Sequence, residues 1–508
     1  MVARIEMTDK LECLSKMADE LAGFVRQAAQ DGKPAHELER EVFQRVLQMG
    51  HQAVGAFLEL QGTGDLGETF TVEDGKTLKR LEPVTRPYRT VFGDFEISRH
   101  VYAVREGQKH AFIPVDQRLQ LPESEYSYLL QEWDQMLGVQ EAFGMVSETI
   151  RSILGQKQPV DSLERMNRKM SAVVQSFREL RPAPVPEEEG EILVVTIDNK
   201  GIPMRRPRDE RPSGARRKKG EKANKKQMAA VGSVYTVDPK IRTAEELVAT
   251  LFRERPASKS ETSKEPVAQQ KRIWSCLTHE REDGTTVRGQ DEVFLWMASE
   301  AKLRCRADQK VVFLSDGQPS LETDRQTFLP DEYLPCGQIV DILDLMHVIP
   351  RLWEVAYLFH PEGSDAAAEF VKPRLLQVLQ GQAGRVIGGL RQMGTKRRLR
   401  GWKRKKLDGA CNFLAKNVHR MQYDQYLAWG LPIATGVIEG ACRYIVKDRM
   451  ERAGMRWTLA GAQAMLDLRT TYVNGQWSEY QTFRIQHECL RLYPYQKALR
   501  TLQWAVAA

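Results

Sequence analysis

The chain has 508 residues, too many for one hydrophobic core, so three or more domains are expected. With 42% apolar and 28% charged residues it has the composition of a soluble globular protein, and no apolar run reaches the length of a bilayer span. The net charge of +7 is unevenly spread, which points to a polyanion such as nucleic acid and away from acidic lipid, since neither basic run adjoins an apolar anchor.

The start, MVARIEMTDKLECLSKMADELAGF, carries acids among its apolar residues and lacks a secretory core. Seven scattered cysteines with no C-x-x-C pair fit reduced thiols in a cytoplasm and give no reason to expect structural zinc. Residues 1–80 read as an N-terminal helical region, with Leu11, Leu14, Met17, Leu21 and Phe24 at helical spacing and a break at GTGDLG. Residues 81–180 read as a DNA-binding region. RPYRTVFGDFEISRHVYAV predicts a β-hairpin around Gly93–Asp94. EAFGMVSETIRSILGQKQPVDSLERMNRKMSAVVQSF resembles a helix-turn-helix, with one helix ending at Gly155 and the next starting after Asp161 as N-cap. Arg165, Arg168 and Lys169 on that second helix are candidates for phosphates or base edges; an ordinary helical hairpin is the alternative.

RPAPVPEEEGE (181–191) is a Pro-rich linker and the expected domain boundary. Beyond it the pattern becomes α/β. ILVVTID is a short buried strand ending in an acid, KQMAAVGSVYTVD and RIWSCLTHE are two further strands, and GQDEVFLWMASEAKLR is a helix. KVVFLSDG is again a strand ending in an acid, and GQIVDILDLMHVIPRLWEVAYLF is a strand running into a helix. This chain order is that of a ribonuclease-H-like layer: residues 192–344 form its first part and 345–433 a helical insertion. Residues 434–508 supply its last helix and a C-terminal helical region.

Two segments concentrate the positive charge. Residues 205–226 hold eleven Lys/Arg against three acids, Arg216, Arg217, Lys218 and Lys219 among them. KRRLRGWKRKK (396–406) holds eight and no acid, so Lys403, Arg404, Lys405 and Lys406 are expected on DNA backbone without reading its sequence. Trp402 within that run either stacks on an unpaired base or anchors the segment to the insertion.

ATGVIEGACRYIVKDRMERAGMRW has one residue out of place. Glu439, Cys442, Val446 and Met450 share one helical face, and the first of them is a carboxylate. An acid there makes sense if the helix aims its first turn at Asp198 and Asp316, each leaving the end of a buried strand. Neighbouring strands would set those carboxylates side by side, and such like charges ionise comfortably only around a cation. The three oxygen donors suit Mg²⁺ or Mn²⁺. Each acid alone has a plainer reading, as strand-end turn former or first-turn helix acid; the three in this order favour a metal site. Asp344 and His347, three apart at a helix start, are possible accessories. Arg449, Arg452 and Arg456, just beyond Glu439, are candidate phosphate ligands.

VVTIDNKGIPM, VFLSDGQPSL, VDILDLMHVIPRLWEVA and TGVIEGACRYIVKDRMERAGMRW together resemble the DDE transposases of bacterial insertion sequences, the ISKra-type group, over roughly residues 80 to 480. The resemblance implies Asp198, Asp316 and Glu439 as the catalytic triad. It also implies metal-dependent cleavage and strand transfer on double-stranded DNA, a homo-oligomer assembled on that DNA, and a nucleoid-associated cytoplasmic location. The family often has Gly where this chain has Asn199, and a side chain there would narrow the loop beside the first ligand. A ribonuclease-H-like resolvase or structure-selective nuclease is the alternative within the fold. A non-enzymatic helix-turn-helix regulator is the alternative of another class.

Overall fold

The computed structural model describes residues 2–72, 75–105, 112–205, 226–254, 266–280, 284–434, 436–452 and 454–494. Arg216, Arg217, Lys218 and Lys219 therefore lie outside the described residues. The protein is a multidomain α/β chain in two compact units, Met1–Val173 with Gln476–Ala508, and Val174–Gly475.

The first unit opens with two long helices, α1 (Val2–Gln30) and α2 (Ala35–Leu60), joined by a short turn. A three-stranded antiparallel sheet follows, β1 (Thr69–Thr71), β2 (Thr77–Thr90) and β3 (Gly93–Ala103). The predicted hairpin is β2–β3, but its turn is Val91–Phe92, because Thr90 pairs directly with Gly93 and Asp94 already faces Arg89. The Thr90 hydroxyl closes that turn, donating to Gly93 O and accepting from Phe92 N–H, both at 3.1 Å. Then come α3 (Pro114–Leu119), α4 (Tyr128–Gly138), α5 (Phe143–Leu154) and α6 (Val160–Ser171). Gly155 caps α5 in the left-handed conformation expected of it. The N-cap of α6 is Pro159 rather than Asp161, which sits in the first turn where a carboxylate suits the helix dipole. Arg165, Arg168 and Lys169 are exposed on α6, opposite a buried side of Leu163, Met166 and Met170.

Residues 476–494 belong to this first unit, not to the region holding Glu439. The helix Trp477–Leu492 is tied there by polar bonds. The Tyr480 hydroxyl donates to Met170 O, and Arg484 donates to Gln131 Oε1 at 3.0 Å.

The second unit starts at α7 (Val174–Glu179), ahead of the Pro-rich stretch. That stretch is packed rather than free. Glu189 pairs with Arg304 at 2.5 Å, both side chains nearly inaccessible, and Gly190 N–H donates to Thr236 Oγ1 at 2.9 Å. Its strands are β4 (Ile192–Pro203), β5 (Lys226–Val237), β6 (Gln269–Leu277) after α8 (Ala244–Leu251), then the small ladder β7 (His279–Glu280) and β8 (Thr286–Val287). Helix α9 (Gly289–Arg304), strand β9 (Lys310–Ser315), α10 (Pro319–Phe328) and β10 (Ile339–Leu343) complete the layer. The five-stranded sheet runs β10-β9-β4-β5-β6. Strand β5 is antiparallel to β4 and β6, whereas β9 and β10 run parallel to β4.

Strand alternation divides the sheet's side chains between two layers. Leu193, Val195, Ile197, Val311 and Phe313 pack with Val293, Phe294 and Met297 of α9. Ile192, Val194, Val312, Leu314 and Ile342 pack with the predicted helical insertion. That insertion is α11 (Leu345–Ala356), α12 (Asp365–Leu379), α13 (Ala383–Lys396), α14 (Gly401–Lys416) and α15 (Tyr423–Ala428). The chain then returns to the sheet in α16 (Gly436–Ala441), a π-helical turn Cys442–Lys447, α17 (Asp448–Met450) and α18 (Leu459–Val473). No helix among the described residues is long and apolar enough to cross a membrane.

Candidate metal-binding site

Strand β4 does not stop at its acid. Asp198 pairs with Val231 of β5, and the ladder continues to Pro203 and Lys226. On the other side, pairing with β9 ends at Thr196 opposite Leu314. Asp198 thus projects just beyond the point where β9 parts from β4. By the same register Asp316 follows Ser315, and Ser315 is matched by Leu343 with Asp344 next. The parallel strands therefore bring Asp198, Asp316 and Asp344 to one level. Period-two alternation sets Asp198 on the insertion side, with Val194. Asp316 and Asp344 lie just past the ends of β9 and β10, and Asp316 is not among the side chains whose ligand atoms come together.

Asp344, His347 and Glu439 come together. One ligand atom from each lies within 4.8 Å of the others. Asp344 is buried and caps α11, its Oδ1 accepting from Met346 N–H at 2.8 Å, which fixes His347 one turn along. Glu439 reaches the group from the first turns of α16, while Cys442, Val446 and Met450 below it are buried, as the stripe predicted. Burial raises the Glu439 carboxyl above the usual carboxylate range; the Asp344 charge adds to this, His347 opposes it, and Asp198 adds again. Asp198 is therefore close enough to feel Glu439. It also accepts from its neighbour's backbone, Asn199 N–H, at 2.6 Å.

Asp316 is held differently. Its Oδ1 accepts from Gln318 N–H at 2.8 Å in a tight turn. Gly317 makes that turn possible: it has φ +82°, and a Cβ there would meet Leu343 at 2.6 Å and Asn417 at 3.0 Å.

Three supporting residues escaped the sequence reading. The Cys442 thiol, read as core, hydrogen-bonds Asp198; burial and then that carboxylate push its pKa up, so it stays a protonated donor. Asn417 backs the Asp316 turn, and the buried Arg420 donates to Ser315 Oγ at 3.3 Å and to Asn417. Both come from the insertion, with only their polarity amid apolar neighbours as a signal. The π-helical turn directly after α16 is a feature common at functional sites, and no sequence pattern announced it.

Other expectations need correction. Asn199 narrows no loop, because β4 runs straight through it. Its side chain points to the α9 layer, donating to Gln290 Oε1 at 3.1 Å. Arg449 is buried at 1% exposure, its guanidinium over the Trp457 ring at 5.1 Å, so it is not placed to meet phosphate. Arg452 is half-buried and donates to Asp448 O at 2.8 Å, whereas Arg456 is exposed. Trp402 anchors nothing: it is 65% exposed in the first turn of α14, with Lys403 Nζ 5.8 Å from its ring centre. Lys403, Lys405 and Lys406 are exposed beside it, while Arg404 is engaged by Asp408, an acid just past the run, at 2.9 Å.

Among solved structures, the chain is similar to one titled Drosophila P element transposase strand transfer complex. The TM-score is 0.24 and the identity 10%, over 74% of this chain and 82% of that one. A likeness of that size carries no argument about fold or chemistry. No protein-family model matches the chain, and no curated protein is similar to it.

Proposed function

We propose that the protein is a DDE-type transposase that binds the ends of a bacterial insertion sequence and cuts and joins DNA with two divalent metal ions. The observation that carries this reading is the gathering of Asp344, His347 and Glu439, with Asp198 beside them, at a sheet edge where Asp316 shares the level of Asp198 and Asp344. The sheet order supports a ribonuclease-H-like core. In chain order its strands lie 3-2-1-4-5, with the second antiparallel to the first and the last two parallel to it. A helical insertion then precedes the helix bearing the glutamate.

The donor set fits Mg²⁺ or Mn²⁺, which favour carboxylate oxygens and tolerate an imidazole at most at the margin. Burial and like charges already make the ionised Glu439 uncomfortable, and a cation would relieve it. Asp198, Asp316 and Glu439 would hold the ions. When bound, such ions activate a water or 3′-hydroxyl and stabilise the leaving oxygen. His347 and Asp344 position Glu439, Cys442 orients Asp198 through its S–H, and Asn417 with Arg420 fixes the turn of Asp316. Exposed Arg456, Trp402, Lys403, Lys405 and Lys406 are DNA contacts in this reading, as are Arg165, Arg168 and Lys169 of α6.

Incubation with duplexes carrying the element's ends and Mg²⁺ tests it. Nicks at the element boundary followed by joined products are expected. Nicks without joining would assign a resolvase or structure-selective nuclease instead, and metal-independent binding without any cleavage would favour the regulator.

A further inference from the structure

Helices α1 and α2 are 29 and 26 residues long, about 40 Å each, yet among their described residues only Ala28 and Ala56 are buried. A helical hairpin of this length gains its stability from packing an apolar face. Apart from the seam between the helices only α2, among the described residues, has such packing, on the β2–β3 hairpin through His51 and Phe95. The seam on α1 is Leu14, Met17, Leu21, Phe24 and Ala28, on the less exposed side of the helix, with Arg45 of α2 4.4 Å from the Phe24 ring centre. Arg45 opposite Phe24 fixes an antiparallel alignment in which Phe57 lies beside Leu11, and Phe43 beside Val25.

Those four residues are the exposed ones. Leu11 is 49%, Val25 41%, Phe43 45% and Phe57 51% exposed, and Val46 joins them. On α1, Leu11, Ala18 and Val25 recur every seven residues, about a quarter turn from the seam. On α2, Phe43, Val46, Ala53 and Phe57, at intervals of three, seven and four residues, lie on one face about a quarter turn from the side carrying Arg45 and Ala56, in the same rotational sense. In antiparallel helices equal rotation brings both stripes to one side. The result is a single apolar face, large at both ends and small in the middle.

We propose that this face binds a second copy of the chain, closing two hairpins into a four-helix bundle before any DNA is engaged. Three features select that occupant. The face is about 40 Å by 20 Å for two helices packed 8–10 Å apart, near the ~800 Å² per partner of a standard interface. The stripe of α1 is symmetric about Ala18, so an antiparallel copy sets Leu11 against Val25 of the partner subunit with the small residues crossing at the centre. The flanking charges obey the same symmetry: exposed Glu12 comes opposite Arg26 of the partner subunit. A peptide or a nucleic acid would require no such two-fold arrangement.

Sedimentation velocity on the full chain without DNA, at about 10 µM, tests the proposal. A dimer is expected. Phe43→Lys with Phe57→Lys should weaken self-association at least about 100-fold, since two lysines would be buried unpaired. The circular dichroism spectrum should stay unchanged, because both rings are half exposed already. Arg26→Glu alone should weaken the dimer about tenfold, and Glu12→Arg added to it should restore it. A monomeric wild-type chain, or a dimer indifferent to the lysine pair, would overturn the proposal; failure of the charge swap to restore the dimer would overturn its antiparallel register.

Discussion

The two sides of the five-stranded sheet are made by the same strands and have opposite chemistry. Towards α9, the alternate residues Leu193, Val195, Ile197 and Phe313 close a dry core, and where the strand turns polar the side chain is satisfied, as Asn199 is by Gln290. Towards the insertion, Asp198 follows Val194 along β4 and Asp344 follows the end of β10, with Glu439 and His347 added from helices. The insertion side gathers carboxylates, and there Asp344 and Asp198 disfavour the charge on Glu439. Like charges held this close to Glu439 are a cost to the fold, which is why the insertion side is the one to assign chemistry to.

Substitutions on the two sides should therefore fail in different ways. Asp198→Asn, Asp316→Asn or Glu439→Gln should lower DNA cleavage at least about 10³-fold while melting temperature and DNA binding hold, because they remove ligands and no packing. Wild-type cleavage in any of them would break the contrast. On the α9 side, Phe313→Ala should do the reverse, costing about 3–5 kcal/mol of stability in denaturant unfolding, since Phe313 is fully buried.

Asp134 of α4 sharpens the point about gathered charge. It is a lone carboxylate with no exposure and, among the described residues, no hydrogen-bond partner for either oxygen, and burial pushes its pKa up to about 8. The folded chain then holds a proton that the unfolded chain releases near pH 4, so stability falls as pH rises from about 4 to 8. Asp134→Asn should remove that slope, with a gain on the order of 5 kcal/mol at pH 8 that vanishes near pH 4. Thermal melts across that range would show it, and a gain independent of pH would contradict it.

Replacing Lys403, Arg404, Lys405 and Lys406 with Ala should weaken specific and random DNA alike. Titrations at several salt concentrations should give a log–log slope shallower by up to about 2.7, or 0.9 for each exposed lysine, with little from Arg404 because Asp408 already engages it. The smallest effect belongs to Asn199→Gly. A side chain facing α9 leaves the Asp198 carboxylate alone, and cleavage should stay within about twofold of wild type. A large gain would mean that Asn199 restrains the insertion side after all.

The strands of the sheet were legible because each is an apolar run, and chain order alone aligned their ends. Where β4 runs on through Asp198, Asn199 and Lys200, the polar residues read as a turn; antiparallel pairing with β5 overrides that local preference. The same kind of override moved the hairpin turn from Gly93–Asp94 to Val91–Phe92 and drew the Pro-rich stretch onto the sheet. Glu439 was visible as an acid heading a stripe of apolar residues. Cys442, Asn417 and Arg420 were not, because a thiol reads as core and the other two act across more than a hundred residues of chain. Arg449 shows the converse error: a basic residue near a candidate site can be stacked on a tryptophan in the interior.

The central claim is that the carboxylates on the insertion side exist to hold divalent ions. Counting Mn²⁺ bound to the protein by electron paramagnetic resonance, with uncleavable end DNA present, tests it most directly. Two ions per chain are expected for the wild-type protein and for Asn199→Gly, and at most one for Glu439→Gln or Asp198→Asn. Equal Mn²⁺ occupancy in wild type and Glu439→Gln, both folded, would contradict the account.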